Sequence, residues 1–128
     1  MAEYVPVYTG EVKPFTATTS AAVTGGRVAA NSGASTLAHA GADSAVVVGV
    51  FAHDAPSGGR VTVWPLDGVI HELEASGAIT QSAGVVTDAA GQVKTATIAT
   101  AAAAGTLIGT AMTTAAGSPL KLRVQGRR

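Results

Sequence analysis

The stretch VVVGVFAHDAPSGGRVTV, residues 46–63, predicts two β-strands joined by a turn. Its first half is rich in Val and Phe, which favours a buried strand over a helix of the same length. The HDAPSGG segment contains Asp, Pro, Ser and two Gly, which are turn-forming residues. In the second half, Val61 and Val63 lie on one face of an alternating strand. The stretch raises one question: do His53 and Asp54 form an active site, or only the tip of a hairpin?

The rest of the sequence repeats this pattern of short strands and turns, with one helical exception. Ala101–Ala104 is the only helix candidate, and Gly105 is placed to end it. Residues 31–36 are predicted as a loop, and residues 37–43 are ambiguous. The other predicted strands are residues 14–23, 27–30, 45–52, 60–64, 69–74, 84–87, 92–97, 106–112 and 120–124.

A chain of 128 residues is long enough for one domain with a real core. Pro6 and Pro14 favour extended structure at the start, so residues 1–14 are predicted to be an N-terminal arm and residues 15–128 the β-rich domain. No cysteine is present, which excludes disulfides and thiolate metal sites. We therefore predict a mainly β single domain with little helix.

The charges balance overall but are unevenly distributed along the chain. All eight acidic residues lie between Glu3 and Asp88, where three bases oppose them, and five bases follow Asp88 with no acid. Such a gradient either helps one subunit dock on another or is mixed by folding. With zero net charge and an apolar window at 96–112 too short for the roughly 20 residues of a membrane helix, we expect a soluble protein that binds neither nucleic acid nor membrane.

The candidate catalytic and metal-binding groups lack the context that their chemistry needs. His39, His53 and His71 match no compact metal-ligand spacing, and we expect them at the surface or in turns. His53 and Asp54 are adjacent, so on a strand they point to opposite faces, and no G-x-S-x-G motif supplies a nucleophile. A small hydrolase that uses this pair is therefore a minor alternative.

Two further groups have weak functional interpretations. Glu72 and Glu74 share one face of a strand, where paired carboxylates can cleave glycosides or bind cations, but more often they form the solvated face of an edge strand. Lys94 follows a turn that weakly resembles the lysine hairpin of carrier domains, without their acid-Asp-Lys context. We expect no cofactor, no metal, no small-molecule substrate and no enzyme activity.

A faint internal repeat bears on the opening question. Residues 46–63 resemble TLIGTAMTTAAGSPLKLRV, residues 106–124, with Gly49 aligned to Gly109 and Ala55 to Ala115. A one-residue insertion then aligns the valines of the second strand, Val61 and Val63, with Leu120 and Leu122. The second copy has two threonines where the first has His-Asp, so the architecture does not require a His-Asp pair at this turn.

The C-terminal LKLRV places Lys121 and Arg123 on one face of a strand. These bases either form a charged edge strand that discourages aggregation or contact an acidic neighbouring subunit.

The order of these pieces resembles the capsid cement, or head decoration, family of tailed bacteriophages. The resemblance extends over residues 4–124 and is carried by the order and spacing of PFTATTSAAVTGGRVAA, VVVGVFAHDAPSGGRVTVWPLDGVIHEL, ASGAITQSAGVVTDAAGQV and IGTAMTTAAGSPLKLRV. It implies a small β-barrel or β-sandwich that binds the major capsid protein on the outside of the mature head, commonly as a homotrimer. It also implies that the protein is not an enzyme. A module of a phage tail or spike is the alternative.

An arm that adds a strand to a capsid sheet is expected to carry the contacts, since cement proteins need buried surface rather than a pocket. Aromatic residues are the best anchors, because buried aromatics dominate interface energies, although ordinary core packing explains each of them equally well. The candidate interface residues are Glu3, Tyr4, Val5, Val7, Tyr8, Trp64, Lys121 and Arg123.

Overall fold

The computed structural model describes residues 4–9, 12–116 and 120–126. Within these ranges the chain forms ten strands, one 3₁₀-helix (Ala89–Gly91) and one α-helix, α1 (Ile98–Ala104). The predicted mainly β single domain with little helix is confirmed. The strands are β1 Phe15–Thr19, β2 Val28–Gly33, β3 Thr36–His39, β4 Val47–Phe51, β5 Arg60–Trp64, β6 Ile70–Ala75, β7 Gly84–Thr87, β8 Val93–Ala96, β9 Gly109–Ala111 and β10 Leu120–Gly126.

The strands close into two small barrels. The first barrel has the order β1-β3-β2-β4-β5, and the second has the order β10-β6-β8-β7-β9. In the first barrel β1 and β3 are parallel and the other neighbours are antiparallel. In the second barrel β6 and β8 are parallel and the other neighbours are antiparallel. Strands β6 to β10 thus repeat the pairing of β1 to β5, so the faint repeat in the sequence reflects a duplicated unit.

The glycines of the repeat have the same structural role in both barrels. A Cβ atom on Gly49 would collide with the backbone carbonyl of Trp64, and one on Gly109 would collide with that of Gln125. Both glycines therefore allow neighbouring strands to approach closely, which is one reason why a strand contains glycine.

The predicted alignment of the last strands was wrong by two residues. Gly49 also faces Val63, and Gly109 faces Val124, so these two valines are equivalent. The same register makes Val61 equivalent to Leu122. The alternation is unchanged by a shift of two residues, which is why the sequence pattern did not reveal the error.

The local predictions differ from the structure mainly at strand ends. The loop predicted at 31–36 is wrong, because β2 and β3 form a hairpin through a tight turn at Ala34 and Ser35, where Ser35 has φ 63°. Residues 31–35 are exposed, so no hydrophobic alternation indicated a strand. The predicted helix is confirmed. The helix begins earlier than predicted, at Ile98, and its last residue is Ala104. Gly105 caps it with a left-handed backbone conformation, at φ 75°. No helix in the described part of the chain is long and apolar enough to span a membrane.

One side of the first barrel packs into the hydrophobic core of the second barrel. Val28, Ala30 and Val50 of the first barrel are buried in the same cluster as the interior of the second barrel. The interior of the first barrel forms its own cluster around the fully buried Phe51. The packing at this position differs between the copies, because Ala111 of the second barrel is equivalent to Phe51.

A polar contact also joins the barrels at the boundary between them, which we call the seam. The Arg27 guanidinium at the start of β2 lies 2.6 Å from the Glu74 carboxylate on β6. Arg27 also donates a hydrogen bond to the Ala90 carbonyl at 3.0 Å, and the Gln92 side chain donates to Glu74 at 3.0 Å. The barrels are therefore held in one relative orientation by apolar burial and by these charge-assisted hydrogen bonds.

Candidate interaction surface

The N-terminal segment, residues 4–9, lies across the seam between the two barrels. The Tyr4 backbone N–H donates to the carbonyl of Ala52, just after β4, at 2.5 Å. The Val7 N–H donates to the carbonyl of Ile70, the first residue of β6, at 2.9 Å. The segment is thus tied to the first barrel at one end and to the second barrel at the other.

The side chains of this segment alternate between the protein and solvent. Tyr4 is half-buried and Pro6 is buried, whereas Val5 is 71% and Val7 is 45% exposed. Tyr8, which pairs with β6 through a single bridge, is 58% exposed. An extended chain places every second side chain on one face, so Val5 and Val7 project outward together. The chain bends at Val7, and Tyr8 is exposed as well, so the segment presents a row of three large apolar groups.

The Tyr4 hydroxyl belongs to a buried hydrogen-bond chain. The hydroxyl accepts from the Glu72 N–H at 3.0 Å and donates to Nδ1 of His71 at 2.7 Å. Nε2 of His71 donates to the Pro65 carbonyl at 2.7 Å, because a carbonyl can only accept. His71 is fully buried, and this burial lowers the pKa of His71 to about 4, against a smaller opposing effect of the Pro65 carbonyl. Burial of the Tyr4 hydroxyl raises the pKa of Tyr4, although the hydrogen bond from the Glu72 N–H opposes the increase.

The basic residues of β10 lie on the outer face of the second barrel. Lys121 and Arg123 are exposed, and the strand register places them opposite Glu74 and Glu72 of β6. The edge-strand interpretation is wrong for β10 and β6, because each pairs with two neighbours in the closed barrel. The opposite charges of these cross-strand pairs reduce the charge gradient seen along the chain.

The arm and the basic residues flank the same strand. Ile70 of β6 pairs with Tyr8 of the arm and with Gln125 of β10. The arm is paired at the start of β6, whereas Arg123 lies opposite Glu72 in its middle and Lys121 opposite Glu74 near its end. We call this region the arm surface, and it consists of Val5, Val7, Tyr8, Lys121 and Arg123.

The remaining candidate interface residues lie elsewhere. Trp64 is half-buried on β5 of the first barrel, where it pairs with Val50. The next residue, Pro65, accepts the hydrogen bond of His71. Glu3 lies outside the described residues.

His53 has a structural role that the second barrel fills with threonine. Its Nε2 accepts a hydrogen bond from the Thr62 N–H at 3.2 Å, and its Nδ1 donates to the Asp54 carbonyl at 2.9 Å. In the second barrel, Thr113 Oγ1 accepts the equivalent bond from the Arg123 N–H at 2.9 Å. The His53 side chain therefore satisfies a backbone N–H at the hairpin, and its imidazole is not oriented by the Asp54 carboxylate.

The other titratable candidates are also held by contacts within the chain. His39 is half-buried, where Nε2 accepts from the Thr24 N–H at 2.9 Å, and burial lowers its pKa. Lys94 pairs with Asp43 at 3.0 Å. Among the described residues, no group of three His, Cys, Asp or Glu side chains is arranged to hold a metal ion.

The expectation that all histidines lie at the surface or in turns was wrong for His71. The alternation of Val69, His71 and Leu73 was the available signal, since it placed the histidine on the buried face of β6. The sequence did not reveal the hydrogen-bond partner of His71, because Tyr4 is 67 residues away along the chain.

Comparisons with known proteins identify a family and a solved structure of similar fold. Residues 7–126 match the model of the family described as phage cement protein. The crystal structure of the head fiber gp8.5 N base in bacteriophage phi29 is similar in fold, with a TM-score of 0.62 and 20% sequence identity over 91% of this chain and 98% of that chain. No curated protein sequence is significantly similar to the chain.

Proposed function

The chain belongs to the phage cement protein family, and we propose that it binds the outer surface of the mature head and links neighbouring major capsid subunits there. It is a capsid decoration protein of the virion, and its family is structural. The arm surface is the part of the molecule that we propose to contact the capsid.

The observation that carries this assignment of the surface is the exposed row of Val5, Val7 and Tyr8. Large apolar groups in a row are costly to leave in water and are a common feature of protein interfaces. Lys121 and Arg123 on β10, the strand that pairs with Ile70 beside the row, are the polar groups that we propose for the rim of the interface. The phi29 protein is a head fiber base, which supports attachment to a head as a role for this fold.

The closed barrels restrict how a capsid strand can pair with this protein. Both described sheets close on themselves, so their strands already have neighbours on both sides. The arm pairs with β6 through only one described bridge, at Tyr8. Any capsid strand that is added is therefore expected at the arm.

Cementing itself follows from mass action. A protein that binds the assembled lattice but not free subunits shifts the assembly equilibrium toward the lattice. Such a protein requires contact area and not a reaction centre. A homotrimer at local threefold positions is the assembly that the family resemblance implies, and it stays a prediction.

Co-sedimentation with mature heads that lack the protein tests the proposal. Wild type is expected to bind saturably, and the double substitution Val5→Asp/Val7→Asp is expected to abolish binding, because it places two charges in the apolar row. Val46→Asp is the matched control, since Val46 is 52% exposed outside the arm surface. Wild-type binding by Val5→Asp/Val7→Asp would show that the arm surface is not the contact.

A further inference from the structure

His71 is a buried polar residue at a position where the first barrel carries an apolar one. Val124 pairs with His71 on β6, and the equivalent Val63 pairs with Phe15 on β1. Phe15 is 41% exposed, whereas His71 is fully buried. The barrel architecture therefore accepts an apolar side chain here, and the imidazole has to be explained by its contacts.

Both ring nitrogens of His71 have partners, and one of these partners belongs to the N-terminal segment. Nε2 donates to Pro65, and Nδ1 accepts from the Tyr4 hydroxyl. The Tyr4 ring also stacks on the imidazole, with centroids 5.8 Å apart and an angle of 17° between the rings. Tyr4 is thus held by its backbone at Ala52 and by its side chain at His71.

We propose that His71 is a positioning residue for capsid binding, which acts through Tyr4 to fix the N-terminal segment on the seam. Val5 follows Tyr4 directly, and Val7 lies on the other side of the buried Pro6. Because side chains alternate along an extended chain, the anchored Tyr4 determines which of these side chains face outward. A segment that is ordered before binding loses less conformational entropy on binding. This inference rests on the proposed function of the arm surface.

The hydrogen bond from the Tyr4 hydroxyl to Nδ1 requires a neutral imidazole. Protonation places a hydrogen on Nδ1, so the contact survives only if the bond reverses and the Tyr4 O–H gives up its acceptor. The charged groups that flank His71 along the chain and across β10 are Asp67, Glu72 and Arg123, and all three are at least partly exposed.

Hydrogen exchange on the free protein tests the positioning role. The reporter is the Val7 amide, which is bonded to Ile70. In Tyr4→Phe and in His71→Phe, its exchange is expected to rise about tenfold, and the affinity for heads is expected to fall about tenfold, the usual scale of one lost buried hydrogen bond. In wild type, but not in His71→Phe, exchange corrected for its intrinsic pH dependence is expected to rise as the pH falls from 6.5 toward 4.

The double variant Tyr4→Phe/His71→Phe separates positioning from folding. It removes the hydroxyl and the imidazole together, but the Glu72 N–H and the Pro65 carbonyl lose these partners, so some loss of melting temperature is expected. Loss of Val7 protection supports positioning where the rest of the protein stays folded. The amide of Asn31, bonded to Val46 in the first barrel, is the internal control for global stability.

Two results would overturn the inference. The first is equal Val7 protection in wild type and in all three variants. The second is lost protection with unchanged affinity for heads, because positioning is then unnecessary for binding. If wild type itself does not bind heads, the proposed function fails, and the exchange data on the free protein still show whether His71 holds the segment.

Discussion

Asp54 Oδ1 accepts a hydrogen bond from the backbone N–H of Gly25 at 3.0 Å. In the second barrel, Thr114 Oγ1 accepts the same bond from Gln81 at 3.1 Å. The pairs are equivalent because the bridge of Val23 with Ala55 recurs between Ile79 and Ala115. A carboxylate and a hydroxyl thus fill one role. Asp54, like His53, is therefore a structural residue of the hairpin.

This equivalence predicts the result of exchanging the residues between the copies. The variant His53→Thr/Asp54→Thr is expected to fold with a free energy of unfolding within about 1 kcal/mol of wild type, because threonine accepts the same backbone bonds. His53→Ala/Asp54→Ala is expected to lose about 2 kcal/mol, since both N–H groups lose their partners. Urea denaturation measures both. Equal losses in the two variants would contradict the proposed structural role.

The close approach at the duplicated glycines predicts a large effect of one methyl group. Gly49→Ala and Gly109→Ala are each expected to cost about 3 kcal/mol or to prevent folding, because the new Cβ meets a backbone carbonyl that cannot move without breaking the strand pairing. Gly41→Ala is the matched control, because nothing lies within 4 Å of its added Cβ. Thermal denaturation of the three variants checks this, and a control that is as unstable as the others would refute the packing argument.

The buried histidine predicts a specific dependence of stability on pH. The pKa of His71 is about 4 in the folded protein, against an ordinary value of 6.5, so the unfolded chain binds the proton more tightly. The stability associated with neutral His71 is fully present above pH 6.5 and is lost as the pH falls from 6.5 toward 4, by about 3 kcal/mol in total.

The measurement for this prediction is the difference in unfolding free energy between wild type and His71→Phe across that range. Carboxylates titrate in both proteins, so the difference isolates His71. A difference that does not change between pH 7 and pH 4 would show that the imidazole is not held neutral by the fold.

The ion pair at the seam predicts unequal effects of two substitutions that remove a basic side chain. Arg27→Met is expected to destabilise the protein by about 1–2 kcal/mol, because Arg27 and Glu74 are only 25% and 23% exposed and Arg27 also bonds a backbone carbonyl. Lys94→Met is expected to have no measurable effect, since its pair with Asp43 is solvated. Chemical denaturation in low and high salt distinguishes the two pairs, and equal effects would argue against a role for Arg27 in joining the barrels.

The site was only partly predictable from the sequence. Pro6 and Pro14 predicted an N-terminal arm, and its contact with the capsid stays a prediction. That β10, with Lys121 and Arg123, pairs with the same strand as Tyr8 did not follow from the sequence, because it depends on the closed second barrel. Tyr4 was expected as either an interface anchor or a core residue. The structure shows its hydroxyl bonded inside the protein, and capsid binding by its neighbours stays a prediction.

The sequence by itself determined the strands and turns of 46–63, the presence of strands β7 and β8, the helix end at Gly105 and the family. These features depend on local alternation, turn residues and the order of motifs, all of which are present in the linear chain. The tertiary structure alone decided that the strands close into two barrels, that β1 lies parallel to β3, and that His71 is buried against Tyr4. The physical reason is that strand pairing and burial depend on residues distant in sequence, and many registers are compatible with the same alternation.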